Sequence, residues 1–342
     1  MSKRVRIELD EIAELDNLYR AFWRAAKGKR DRQAVQDFAL RLDHNLSFMR
    51  RDIINGDYSF GGYSRFMIYD PKPRVIHAAC FRERVLHHAI MAHLEPVFER
   101  HMVGDTFACR PGRGVLAAVN RAQQHIRRYP WYAKVDVRKF FDSVDHDILF
   151  RLLSRRFKGE GLLILLKRII ESYQTDPGKG LPIGSLTSQH FANFYLSRLD
   201  RLLLQNINVL GTVRYMDDII WFCNSREQAK ETMREVSRFL AQERKLDLKQ
   251  NFQINRSLHG VSFCGFRVLA GTLRPSPRRR RRYAARRKAW ERAFEKGLID
   301  EKGLQTGYAS ALAIVAHCDC RSWLKRQLGL NPMPPCCHEI VS

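Results

Sequence analysis

Tyr215-Met216-Asp217-Asp218 sets two adjacent carboxylates between Val213 on one side and Ile219, Ile220, Trp221 and Phe222 on the other. Two apolar, β-prone runs meeting at a polar pair predict a hairpin with the carboxylates at its turn. Adjacent acids raise each other's cost of ionisation, and a plain surface turn is more often built from Gly, Asn or Ser. A divalent cation would relieve that repulsion; an acidic turn on a solvated hairpin is the plain alternative.

Working outward, Tyr132-Ala133-Lys134-Val135-Asp136 reads as a strand that ends on an acid, and the chain turns into a helix near Asp145. Between the two acidic stretches lies Gly180-Leu181-Pro182-Ile183-Gly184-Ser185-Leu186-Thr187-Ser188-Gln189, a glycine-punctuated loop leading into a helical run from Phe191 to Leu204. This order of strand with acid, loop into helix, and Tyr-Met-Asp-Asp hairpin resembles the palm of a reverse transcriptase. Many reverse transcriptases carry Gln-Gly and Ser-Pro in the middle block. Ile183-Gly184 and Ser188-Gln189 stand there instead, a variant similar to the reverse transcriptases of diversity-generating retroelements. Tyr69-Asp70-Pro71-Lys72-Pro73-Arg74-Val75-Ile76, Phe81-Arg82-Glu83-Arg84-Val85-Leu86-His87-His88, Ala108-Cys109-Arg110-Pro111-Gly112-Arg113-Gly114 and Phe263-Cys264-Gly265-Phe266 fit the same family.

The resemblance implies an α+β, right-hand polymerase. Its parts would be an N-terminal helical extension (1–60), fingers (61–130), a ferredoxin-like palm (131–270, with a fingers insertion at about 150–182) and a helical, basic thumb and tail (271–342). Helix-like spacing of Ile7, Leu9, Ile12, Leu15, Leu18, Tyr19, Phe22 and Trp23 predicts a helical start, and a second helix is expected from Arg32 to Ile54. Strands are expected at 63–69 and 73–78 and as a pair over 262–268; helices are expected over 82–98, 114–129, 162–173, 227–243 and after Pro275-Ser276-Pro277.

Sixty Lys and Arg against 36 Asp and Glu give the 342 residues a formal charge of +24. Such a balance repels itself unless a polyanion neutralises it, and nucleic acid is the partner it fits best. No apolar run approaches the roughly 20 residues of a spanning helix. No signal-like core follows Met1-Ser2-Lys3-Arg4, so a cytoplasmic chain with no membrane partner is expected. The length suits a polymerase core without a nuclease domain after it. Eight cysteines lack the even spacing of a disulfide scaffold and are expected as free thiols. His317-Cys318-Asp319-Cys320 with Cys336-Cys337-His338 could supply zinc ligands, at a poor spacing.

Nucleotidyl transfer needs two divalent ions about 4 Å apart to clamp the attacking oxygen and the leaving pyrophosphate. Carboxylates supply the hard oxygens that suit Mg²⁺, with Mn²⁺ able to substitute. Asp136 and Asp217 are the expected direct ligands, with Asp218 as the third catalytic acid and the Val137 carbonyl as a further donor. A helix cap is the plain alternative for Asp136, and Asp142 and Asp145 are expected to be caps. By the resemblance, Lys72 and Arg74 grip the triphosphate of the dNTP, and Phe141 excludes a ribose 2′-hydroxyl. Ile183, Gly184 and Gln189 meet the nascent base pair, and Lys249 lies near a lysine that attends pyrophosphate. Tyr215, Met216 and the primer-grip residues Phe263 and Gly265 would face primer and template, while Arg278, Arg279, Arg280, Arg281 and Arg282 track phosphate. Ile183 cannot donate a hydrogen bond, so low fidelity is expected, by family analogy at template adenines.

Together these features imply an RNA-directed DNA polymerase of a diversity-generating retroelement, copying a template-repeat RNA into mutated cDNA from a DNA or RNA primer. A small basic accessory protein and a structured RNA are the partners the resemblance implies. Two other readings stand beside it: a related reverse transcriptase in antiphage defence, and an RNA-binding scaffold that has lost catalysis. The intact Asp136, Asp217 and Asp218 weigh against the scaffold.

Overall fold

A four-stranded antiparallel sheet lies at the centre of the computed structural model, which describes residues 3–69 and 73–330. Its strands run in the order Gly211–Tyr215, Asp218–Cys223, Trp131–Asp136 and Gln253–Arg256. Helices Leu186–Tyr195 and Ser197–Gln205 lead into the hairpin and helix Arg226–Arg244 leads out of it, a β-α-β-β-α-β path. This is a ferredoxin-like α+β arrangement, the one expected of a right-hand polymerase palm.

Alternation along the strands splits the core in two. Ala133, Val135, Ile219, Trp221 and Cys223 are buried on one face with Val236, Phe239 and Leu240 of the Arg226–Arg244 helix. Tyr132, Val213, Ile220 and Phe222 are buried on the other with Ala118, Val119 and Ala122 of helix Val115–Arg128. Strands Val261–Phe263, Phe266–Val268 and Leu273–Pro275 form a second antiparallel sheet over that face. Lys134, Asp136 and Asp218 share its parity, so the acids stand where an otherwise buried face meets solvent.

The N-terminal segment is not helical throughout. Val5–Arg6 is a strand paired in parallel with Phe157–Lys158, and helices Leu9–Ala13 and Leu15–Ala26 follow. The helix expected over 32–54 is two helices, Gln33–Leu40 and Leu42–Asn55, broken at Arg41 (φ −127°, ψ 44°). Phe22 and Phe38 pack against Phe81 with ring centroids 5.3–5.9 Å apart, fixing these helices to the long helix Phe81–His101. Strands Tyr63–Tyr69 and Pro73–Ala79 pair along their full length as a protruding hairpin. Three helices, Pro277–Glu295, Glu301–Val315 and Arg321–Leu330, end the described chain. Among the described residues no helix is long and apolar enough to cross a membrane.

Candidate active site

The strand register places the acids. Tyr215 pairs with Asp218, so the turn is Met216-Asp217, and Met216 takes φ +59°. A two-residue hairpin turn demands such a positive φ at its first position. Only Asp217 occupies the turn; Asp218 opens the returning strand and lies directly across from Asp136. Beyond Asp136, the hydrogen bonds Arg138 N to Asp247 O (2.8 Å) and Lys249 N to Asp136 O (2.9 Å) flank Val137. In an antiparallel ladder this turns the Val137 carbonyl to the opposite edge, the side of the Met216-Asp217 turn.

Charge is concentrated here. Burial, then the Asp136 carboxylate, then Asp218 push Asp217 up to about 6. Burial also pushes Asp218 up to about 6, against the pull of Lys134. The Lys134 ammonium stands 3.1 Å from Asp218 Oδ1, donates to the Ser262 carbonyl at 2.6 Å and lies 5.8 Å from the Phe263 ring centroid. Asp218 Oδ1 is buried, and this ion pair is not aligned as a hydrogen bond. Lys249 Nζ donates to Asp136 Oδ1. Among the described residues no three His, Cys, Asp or Glu side chains converge as a ready cage, and Lys249 and Lys134 are ion-paired with Asp136 and Asp218. Hard oxygens, carboxyls raised chiefly by burial and an Asp218 oxygen without a hydrogen bond suit a divalent cation. Asp136, Asp217, Asp218 and the Val137 carbonyl are the groups that would hold it.

The loop residues are tied to the segment after Asp136 and to the hairpin strand Pro73–Ala79. Leu181 N donates to the Phe141 carbonyl (2.8 Å), and His77 N donates to the Ile183 carbonyl (2.9 Å). Gly184 has φ +112°, and a Cβ there would stand 2.7 Å from Ile76 Cγ2, so the close approach it permits is to the hairpin strand Pro73–Ala79. Phe140 is buried while Phe141 is half-buried, their rings edge to face at 5.7 Å. Ile183 and Gln189 are half-buried, and Gln189 Oε1 lies 3.7 Å from Cys109 Sγ. Arg74 is exposed on its strand opposite Ile68. Lys72 lies outside the described residues.

Phe263 is buried, and Cys264 (φ +47°) with Gly265 (φ +82°) turns the chain between paired Phe263 and Phe266. The five arginines do not act as one run. Ser276 caps their helix by accepting from Arg279 N. Arg279 and Arg280 then turn inward over the Phe266 and Trp323 rings (3.9 and 5.7 Å), while Arg278, Arg281 and Arg282 are exposed. Asp145 caps helix His146–Ser154 by accepting from Ile148 N at 3.0 Å, whereas Asp142 sits inside helix Phe140–Ser143 and caps nothing. Cys318 and Cys320 are free thiols, and Asp319 between them accepts from Leu273 N at 2.7 Å. Cys336, Cys337 and His338 lie outside the described residues.

Two charged residues of this region escaped the sequence reading. Lys134 sits two residues before Asp136 and therefore on the same face of the strand, a parity visible in the sequence. Arg214 lies in the apolar strand before the hairpin turn, on the opposite, buried face.

The chain spans less than half the length of the curated relatives it matches. It is 25% identical over 178 residues to Protein YkfC of Escherichia coli K12, covering 48% of this chain and 46% of that protein. It is 26% identical over 129 residues to the putative COX1/OXI3 intron 2 protein of Saccharomyces cerevisiae (36% and 15%), and 24% identical over 140 residues to the group II intron-encoded protein LtrA of Lactococcus lactis (39% and 23%). Among solved structures, a telomerase of Candida tropicalis in complex with a fragment of telomeric RNA aligns with a TM-score of 0.49 at 9% identity, over 81% of this chain and 56% of that one. The family profile described as reverse transcriptase (RNA-dependent DNA polymerase) matches residues 70–257. That match takes in both acidic strands and the loop between them and covers more than half of the sequence, so the chain belongs to the reverse transcriptase family.

Proposed function

We propose that this protein is an RNA-directed DNA polymerase that extends a DNA or RNA primer with dNTPs on an RNA template. The apposition of Asp136 and Asp218 beside the Asp217 turn carries the reading, since it gathers hard oxygen donors at one end of a rigid sheet. Two Mg²⁺ ions, when bound, supply Lewis-acid activation of the attacking 3′-oxygen and neutralise charge on the leaving pyrophosphate. Asp136 and Asp217 would hold them, with Asp218 and the Val137 carbonyl completing the set. Arg74 and Lys72, on the fingers (61–130), grip the triphosphate. Phe141 closes the sugar side of the pocket, and Lys249 passes from Asp136 to the phosphates as substrate enters. The palm (131–270) carries the chemistry, and the basic helices after residue 271, as thumb, track the duplex.

Within this class we assign the chain to the diversity-generating type, copying a template-repeat RNA into mutated cDNA with a small basic accessory protein and a structured RNA. Ile183-Gly184 and Ser188-Gln189 in place of Gln-Gly and Ser-Pro support that assignment. Primer extension on an RNA template, with the cognate RNA and accessory protein supplied, tests both levels. Extension lost in Asp217→Asn/Asp218→Asn establishes the polymerase, and errors concentrated at template adenine establish the subtype. An even error spectrum removes the subtype; no extension by the wild type removes the polymerase. Phe141→Ala should admit ribonucleotides, and unchanged sugar selectivity would refute the role given to that ring.

A further inference from the structure

Arg214 is 2% exposed, and its guanidinium spends all five N–H groups on five protein acceptors. Nε and Nη2 grip Asp200 Oδ1 and Oδ2 at 2.6 Å each. Nη1 donates to Asn193 Oδ1 (2.7 Å) and to the Met216 carbonyl (3.0 Å), and Nη2 donates also to the Asn193 carbonyl (3.2 Å). Asp200 and Asn193 are themselves buried, and each is held in turn. Thr106 Oγ1 donates to Asp200 Oδ2 at 2.8 Å, and Asn193 Nδ2 donates to the Ala108 carbonyl at 2.8 Å.

The Met216 carbonyl belongs to the peptide plane that continues into Asp217. Met216 holds a positive φ that a non-glycine residue adopts only at some cost, so the turn needs an outside restraint. Asn193, whose Oδ1 shares Nη1 of the guanidinium with the Met216 carbonyl, lies one helical turn after Gln189 on helix Leu186–Tyr195. One side chain thus joins the turn that carries Asp217 to the helix that carries Gln189. A lysine would keep the charge opposite Asp200 but has no planar fork to reach the other three acceptors, on Asn193 and Met216, as well.

We infer that Arg214, with Asn193 and Asp200, is a positioning residue that fixes the Asp217 carboxylate relative to the Gln189 helix and so sets divalent-cation affinity and turnover. The kinetic part rests on the polymerase reading; the cation part rests on the carboxylate geometry alone. The experiment therefore measures Mn²⁺ binding to the full chain without nucleotide, by water-proton relaxation, and separately primer extension against Mg²⁺ and dNTP concentration. Arg214→Lys, checked for a native circular dichroism spectrum, should bind Mn²⁺ several-fold more weakly. It should also need several-fold more Mg²⁺ for half-maximal extension and lose at least tenfold in kcat with little change in KM for dNTP. In an Asp217→Asn background the same substitution should change Mn²⁺ affinity no further.

Unchanged Mn²⁺ affinity in folded Arg214→Lys, or an undiminished loss in the Asp217→Asn background, would overturn the inference. Should Arg214→Lys not fold, Asn193→Ala decides the matter by the same Mn²⁺ measurement, weaker binding supporting it and unchanged binding sinking it. A wild type that binds Mn²⁺ without extending primers would sink the polymerase reading and leave the positioning role judged by affinity. A wild type that binds no Mn²⁺ would overturn both.

Discussion

The carboxyls of Asp217 and Asp218 both lie above the ordinary aspartate range, at about 6, chiefly because they are buried. A carboxyl raised on folding holds its proton more tightly in the folded state. Its contribution to stability is thus greatest when protonated and is lost as pH rises through about 6. A divalent cation replaces those protons and reverses the penalty above that pH. Mg²⁺ should therefore raise the Tm more at pH 8 than at pH 5. Asp217→Asn should raise the Tm of the metal-free protein at pH 8 by about 2 °C or more while abolishing extension. Thermal scans across that range check both, and a Mg²⁺ increment independent of pH would show that these acids do not face the ion. The place of the acids was legible in the sequence because two apolar β-prone runs meet at them, although the register puts only Asp217 in the turn. Gly184 was legible only as a loop glycine, since the Ile76 methyl that forbids a side chain there comes from a strand far away in the sequence.

Elements were read well where one face is apolar and poorly where a helix is broken by backbone alone. The hairpins at 63–79 and 211–223 and the helix Arg226–Arg244 follow from period and flanking residues. The run expected as one helix over 191–204 begins at Leu186 and is interrupted at Leu196 (φ −91°, ψ −3°) with no glycine or proline to mark the break. The arginine run shows the same limit: composition announces charge, but only the helical period of Pro277–Glu295 decides which side chains leave solvent. Arg279 and Tyr283 fall on the inner face, one turn apart, while Arg281 points out. Arg279 lies over Phe266 and donates to the Ile314 carbonyl at 3.1 Å, joining the last helices to the second sheet. Arg279→Ala should cost about 1–2 kcal/mol of stability in denaturant unfolding. Arg281→Ala should leave stability unchanged and flatten the salt dependence of nucleic-acid binding by about 0.7–0.9 in log–log slope. Equal effects of the two substitutions on both measurements would show that the helix does not divide its arginines in this way.

At the scale of the molecule, a formal charge of +24 sits on a chain whose acids include several already committed to cations. Asp200 is closed against Arg214, Asp145 against Lys245, and Glu99 against Arg110. The surplus of Lys and Arg is therefore left to repel itself across the surface unless a polyanion condenses on it. That repulsion is a cost of the free protein, so single-stranded RNA of any sequence should raise the Tm at low salt, and the gain should shrink as salt is added. Log K should fall by about 0.7 for each phosphate neutralised on a single strand, and by about 0.9 on B-form duplex. A titration by fluorescence anisotropy over a tenfold range of salt gives that slope directly. A steep slope shared by unrelated sequences would mean that the basic surface grips backbone and leaves selection of the template to base pairing at the hairpin. A slope near −1 would mean that the charge is dispersed rather than aligned along a track, and the thumb would lose its assigned role while the acids kept theirs.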